Sequence, residues 1–135
     1  MKKLAIILGL VALTGCHGTN MPSKINDEKV FFAFDSAVVP SDMEQNLKGQ
    51  SLYMKKNKDV NIVLEGHCDE RGSTEYNLAL GALRAGNAAH VLTKDGIEPS
   101  RVRTVSYGKE RPQYLGTGEE VWAKNRNATT KIDKK

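Results

Sequence analysis

Gly66-His67-Cys68-Asp69-Glu70-Arg71-Gly72-Ser73-Thr74-Glu75-Tyr76-Asn77, followed by Leu80-Gly81-Ala82-Leu83-Arg84-Ala85, joins a β-rich run to a long helical pattern. The run before it, Val60 to Leu64, is almost continuously aliphatic and suits a central strand. Residues 66–72 form a glycine-flanked loop, and the spacing predicts a helix over 74–95. Tyr76, Leu80 and Leu83 share one side of it, continued by Ala88, Val91 and Leu92. Gly81 and Gly86 each cost that helix about 1 kcal/mol relative to alanine, which close packing on a sheet would explain. Asp95-Gly96 supplies a left-handed stop.

Working outward, Glu28 to Phe34 reads as a first strand, with Val30, Phe32 and Phe34 on one face. Pro40 opens a helix over 41–56, where Met43, Leu47 and Met54 recur at helical spacing and lysines 55, 56 and 58 suit the C-terminal dipole. Val102 to Tyr107 is a third strand. Residues 108–118 form a loop, 119–124 a helical turn carrying Trp122 as a core or loop anchor, and 127–132 a last strand that its polar residues make weak. This alternation predicts an α/β (α+β) domain, a small mixed four-stranded sheet with helices packed on one face.

The N-terminus has another character. Met1-Lys2-Lys3 is basic, Leu4 to Leu13 is apolar, and Leu13-Thr14-Gly15-Cys16 closes the run with small residues before a cysteine. That is the layout of a secretory signal peptide, and the run is too short to span a bilayer. It resembles the lipobox of bacterial lipoproteins, which implies a signal peptide over 1–15, Cys16 as the acylated first residue, and, with His17 rather than an aspartate next, delivery to the outer membrane. Residues 16–27 read as lipidated cysteine and flexible tether, and 28–135 as the domain. The formal charge of +4 falls to +2 without Lys2 and Lys3, so the basicity is partly a targeting signal and does not indicate nucleic acid. With Cys16 acylated, Cys68 has no partner and is expected to be a half-buried free thiol.

Asp69 follows one strand, and Asp35, preceded by Phe34, follows another. If those strands are parallel neighbours, the three residues meet at one sheet edge, where α/β sheets often bind ligands. Asn77 and Arg84 lie seven apart on one helical face with Leu80 as an apolar floor between them. A guanidinium grips a carboxylate through two parallel hydrogen bonds and an aspartate accepts an ammonium, so the set suits a zwitterion with both charges on one carbon. The same spacing also fits a solvated turn with Arg84 in a weak surface pair. A metal centre does not fit: His67, Cys68, Asp69 and Glu70 are consecutive and alternate sides if extended, without the spaced pairs that zinc needs. Cys68 reads as a small packed side chain.

Further motifs decide between these readings. Phe32-Ala33-Phe34-Asp35, Glu65 through Gly72, Glu75-Tyr76-Asn77, Leu80-Gly81, Val105 through Pro112 and Lys124-Asn125-Arg126 together resemble the peptidoglycan-associated lipoproteins of the OmpA-like family. The resemblance implies an OmpA-like βαβαβ-β sandwich and non-covalent binding of peptidoglycan through meso-diaminopimelate of the stem peptide. It implies that Asp69 and Arg84 are the principal binding residues, with Phe34, Asp35, Asn77 and Leu80 around them. Arg84→Ala is then expected to abolish binding and leave the fold intact. The resemblance further implies the partner TolB, a place in the Tol–Pal system of envelope integrity and cell division, and neither catalysis, cofactor nor metal. Three positions depart from the pattern: Cys68 replaces a small residue, Leu83 replaces an arginine, and Asn127 replaces an arginine before a polar strand.

Overall fold

The computed structural model describes residues 24–133. The elements are β1 (Lys29–Phe31), α1 (Ser41–Lys56), β2 (Ile62–His67), α2 (Thr74–Lys94), a 3₁₀ turn (Pro99–Arg101), β3 (Val102–Gly108), α3 (Glu119–Asn125) and β4 (Asn127–Ile132). They form a mixed four-stranded sheet in the order β1-β4-β2-β3. β2 and β3 run parallel, Ile62 opposite Val102. β4 is antiparallel to both its neighbours, with Ala128 opposite Gly66 and Val30. β1 and β2 are thus parallel but not adjacent, a correction to the expected neighbour pair.

Both long helices have local reasons to start where they do. The Ser73 hydroxyl accepts the Tyr76 N–H at 3.1 Å and caps α2. Pro40 precedes α1, whose first turn carries Asp42 and Glu44 and whose last carries Lys55 and Lys56, matching its dipole. α1 and α2 cover the face bearing Val30, Ile62, Leu64 and Ala128, and with Phe32, Leu47, Met54, Ala85, Ala88 and Leu92 they enclose the core. Among the described residues no helix is long and apolar enough to cross a membrane.

Four expectations need correction. Ile25, assigned to the tether, is fully buried in the core, and the Asp27 N–H bonds the Thr130 carbonyl at 2.8 Å, so the fold takes in residues 25–27. The first strand stops at Phe31, and Phe34 is 60% exposed. On α2 the inward face is Asn77, Leu80, Gly81, Arg84, Ala85, Ala88 and Leu92, while Tyr76 and Leu83 point outward. β4, expected to be weak for its polar residues, is an inner strand with Thr129 and Thr130 fully buried; both hydroxyls are paired, Thr130 donating to Gln50 at 2.6 Å and Thr129 to Asn127 at 2.7 Å. The expected signal peptide, Cys16 and residues 17–23 lie outside the described residues.

Candidate functional site

At the carboxyl end of β2 a cavity of about 220 Å³ opens beside the first turns of α2. It is lined by Phe34, Asp35, Asp69, Asn77, Leu80 and Arg84, the six positions singled out from the sequence, together with Cys68, Arg71, Gly72 and Tyr76. The convergence does not need β1 and β2 to be neighbours. Their shared direction, across β4, brings both following loops to the same end of the sheet.

Arg84 forms the floor. It is 1% exposed and spends three N–H groups on main-chain carbonyls: Nε on Ser36 at 2.9 Å, Nη1 on His67 at 3.0 Å and Nη2 on Ala33 at 3.2 Å. Of its five donors one on each terminal nitrogen is left for the cavity. Burial lowers its pKa, but a guanidinium stays charged at neutral pH. Since these bonds tie the 33–36 turn to β2 and α2, Arg84 is a structural residue as well as a pocket residue, and Arg84→Ala is now expected to cost stability, where the sequence alone predicts an intact fold.

Asp69 is 5% exposed. Its Oδ1 accepts both the Arg71 main-chain N–H at 3.0 Å and Arg71 Nε at 3.1 Å, and Oδ2 accepts Arg71 Nη2 at 2.9 Å; the Arg126 guanidinium stands 3.7 Å from Oδ2 as a longer ion pair. Burial alone would raise its pKa; the Arg71 hydrogen bonds and the two guanidinium charges outweigh that and hold the carboxyl below the ordinary range. Asp35 is freer. It is exposed, sits at φ 53°, and accepts a hydrogen bond from the Tyr76 hydroxyl. Asn77 gives both amide hydrogens to the carbonyls of Arg71 and Ser73, at 2.8 and 2.9 Å, so its Oδ1 is the atom left to accept.

Arg71 is the residue that sequence reasoning missed. Its Cζ lies 4.0 Å from the ring centroids of both Phe34 and Trp122, a cation held between two aromatic faces. Trp122 is fixed in turn by donating Nε1 to Glu70 at 3.1 Å, so it anchors the loop as expected. The local signal was the Asp69-x-Arg71 turn; the stacking partners, 37 and 51 positions away, leave no trace in spacing. Cys68 is fully buried rather than half-buried, donates Sγ to the Asn77 carbonyl at 3.3 Å, and has its pKa raised by burial, so the thiol is not activated. Among the described residues no three His, Cys, Asp or Glu side chains gather to hold a metal.

The OmpA family model matches residues 31–126, which take in α1, α2 and the loops that line the cavity. The chain belongs to the OmpA family. The peptidoglycan-associated lipoprotein of Brucella melitensis is 37% identical over 127 residues, covering 93% of this chain and 76% of that protein. The crystal structure of the peptidoglycan-associated lipoprotein from Burkholderia pseudomallei superposes with a TM-score of 0.76 at 38% identity, over 78% of this chain and 89% of that one. The C-terminal domain of Helicobacter pylori MotB shares the fold, with a TM-score of 0.74 at 23% identity over 80% and 85% of the two chains. This OmpA-family domain therefore has the α+β architecture expected of it, with the pocket at the strand ends.

Proposed function

We propose that this OmpA-family protein binds peptidoglycan non-covalently and that its pocket takes the zwitterionic end of meso-diaminopimelate in the stem peptide. The observation that carries the reading is the meeting of Arg84, Asp35 and Asp69 around one cavity with Leu80 between them. The spare N–H groups of Arg84 receive the carboxylate, and Asp35, with Asn77 Oδ1, receives the ammonium. Asp69 adds negative charge behind them and positions the loop through Arg71. The methylenes lie on Leu80. A partly buried charged hydrogen bond contributes about 1.5–3 kcal/mol, which places a single site at roughly micromolar to millimolar affinity; many sites on one polymer raise the holding strength by avidity. The proposed role is binding, and no part of it uses Cys68, whose thiol is buried and bonded to the Asn77 carbonyl.

Names of relatives that pair peptidoglycan association with a lipid anchor support the rest of the reading. We assign residues 1–15 to a signal peptide, Cys16 to acylation and outer-membrane anchoring, and the following residues to a tether. From the motif resemblance alone we extend the reading to TolB as a partner and to the Tol–Pal system at the periplasmic face. The deciding experiment titrates the purified protein with a diaminopimelate-containing stem peptide against a lysine-containing control. Lysine lacks the second carboxylate, so equal affinities would remove the role given to Arg84. Asp35→Asn, at an exposed position, is expected to weaken the diaminopimelate peptide about tenfold with no change in thermal unfolding.

A further inference from the structure

The pocket holds a second guanidinium for which the zwitterion supplies no partner. Arg71 lines the cavity with 31% of its side chain exposed, pinned between Phe34 and Trp122 and joined to Asp69 through Nε and Nη2. Both hydrogens on Nη1 and one on Nη2 have no partner among the described residues. Asp69 occupies only Nε and Nη2 of this guanidinium, and Arg126, 3.7 Å from the same carboxylate, has its own partner in Glu119 at 2.8 and 3.3 Å. What remains is a guanidinium with unpartnered N–H groups, lining the cavity and already relieved of its rotamer entropy, the condition under which a charged contact contributes most to affinity.

We propose that Arg71 receives a second carboxylate, so that the site selects peptides ending at the zwitterion-bearing residue. This rests on the diaminopimelate reading above. A terminal diaminopimelate carries one free ammonium and two carboxylates, one on the side-chain carbon and one on the main chain. Arg84 on the floor takes the first and Arg71 takes the second. When another residue follows, the main-chain carboxylate becomes an amide, whose neutral carbonyl makes a hydrogen bond about half as strong.

The test titrates the full protein with the tripeptide L-Ala-γ-D-Glu-meso-diaminopimelate as its free acid and as its main-chain amide. The acid is expected to bind about tenfold tighter, and the difference to shrink as salt is raised. Arg71→Gln is expected to bind acid and amide alike, and Arg71→Lys, which keeps the charge without the fork, to retain a reduced preference. Equal binding of acid and amide by the unaltered protein overturns the selection and leaves the zwitterion reading standing. Binding of neither overturns both. A preference that survives in folded Arg71→Gln shows that another group reads the carboxylate, and the assignment fails.

Discussion

Gly66 of β2 and Gly81 of α2 are in backbone contact: a Cβ on Gly66 would fall 1.8 Å from the Gly81 carbonyl oxygen. A Cβ on Gly81 would meet Ser106 Oγ at 2.3 Å and the Gly66 carbonyl oxygen at 3.1 Å. This contact sets the height of α2 above the sheet and so the depth at which Arg84, three residues on, enters the core.

Gly66→Ala is therefore expected to destabilise the domain by about 3 kcal/mol or more, because the displaced atoms are backbone and cannot rotate away. Gly86 is the control. It lies on the exposed side of the same helix with nothing within 4 Å of a new Cβ, so Gly86→Ala is expected to stabilise by about 1 kcal/mol through helix propensity alone. Urea unfolding of the two variants checks both signs. The expected close packing thus explains one helical glycine and not the other.

Arg84→Ala removes the donor from three carbonyls at once, those of Ala33, Ser36 and His67. Leaving the buried His67 carbonyl without this donor costs roughly 1–3 kcal/mol; the carbonyls of Ala33 and Ser36 lie nearer solvent, and that of Ala33 keeps the Ser36 N–H at 3.3 Å, so they add less, while the buried guanidinium leaves a cavity behind. The variant is expected to lose stability by about 3 kcal/mol or more along with peptide binding. Thermal unfolding beside a binding titration measures the two losses separately. Wild-type stability in Arg84→Ala would mean that these bonds do not hold the 33–36 turn.

His67 offers a pH test. Its ring is 4% exposed, neither nitrogen has a hydrogen-bond partner, and Tyr107 lies against it at 5.6 Å between centroids. Burial lowers its pKa from the ordinary 6.5, and Glu65, 3.7 Å away, only partly restores it. The unfolded chain then takes up a proton near 6.5 while the folded one still resists. Stability is expected to fall as pH drops below that point, and to stop falling once the folded ring is protonated. His67→Gln, which does not titrate, is expected to flatten the melting temperature between pH 7.5 and 5.5. An unchanged slope would place the titration elsewhere.

Much of this architecture was legible because burial on one face leaves a period in the sequence. Helix α1 was expected over the residues it occupies, and the Asn77–Leu80–Arg84 stripe could be read from spacing of three and four. Strand order leaves no such period, so nothing in residues 127–132 disclosed that β4 lies between β1 and β2. Its polarity misled for a physical reason: Thr130 and Thr129 are buried but hydrogen-bonded to side chains from distant elements, and apolar patterning cannot register a satisfied polar interior. Arg71 escaped notice in the same way, its character set by Phe34 and Trp122 from other parts of the chain.

The buried pair Thr130–Gln50 turns that last point into a measurement. Thr130 Oγ1 donates to Gln50 Oε1 at 2.6 Å, and Gln50 Nε2 donates to Asn46 Oδ1 at 2.8 Å, a chain linking β4 to α1. Thr130→Val keeps the shape and strips the donor, leaving the Gln50 oxygen buried without a partner. A loss of roughly 1–3 kcal/mol is expected. Adding Gln50→Leu removes the orphaned acceptor, so the double variant is expected to recover most of that loss, since replacing both partners with apolar groups of similar shape is close to neutral. The coupling read from the four-protein cycle should reach at least about 1 kcal/mol. Additive losses would mean that the two side chains stabilise the sheet independently, and that β4 holds its inner place through its main-chain ladder alone.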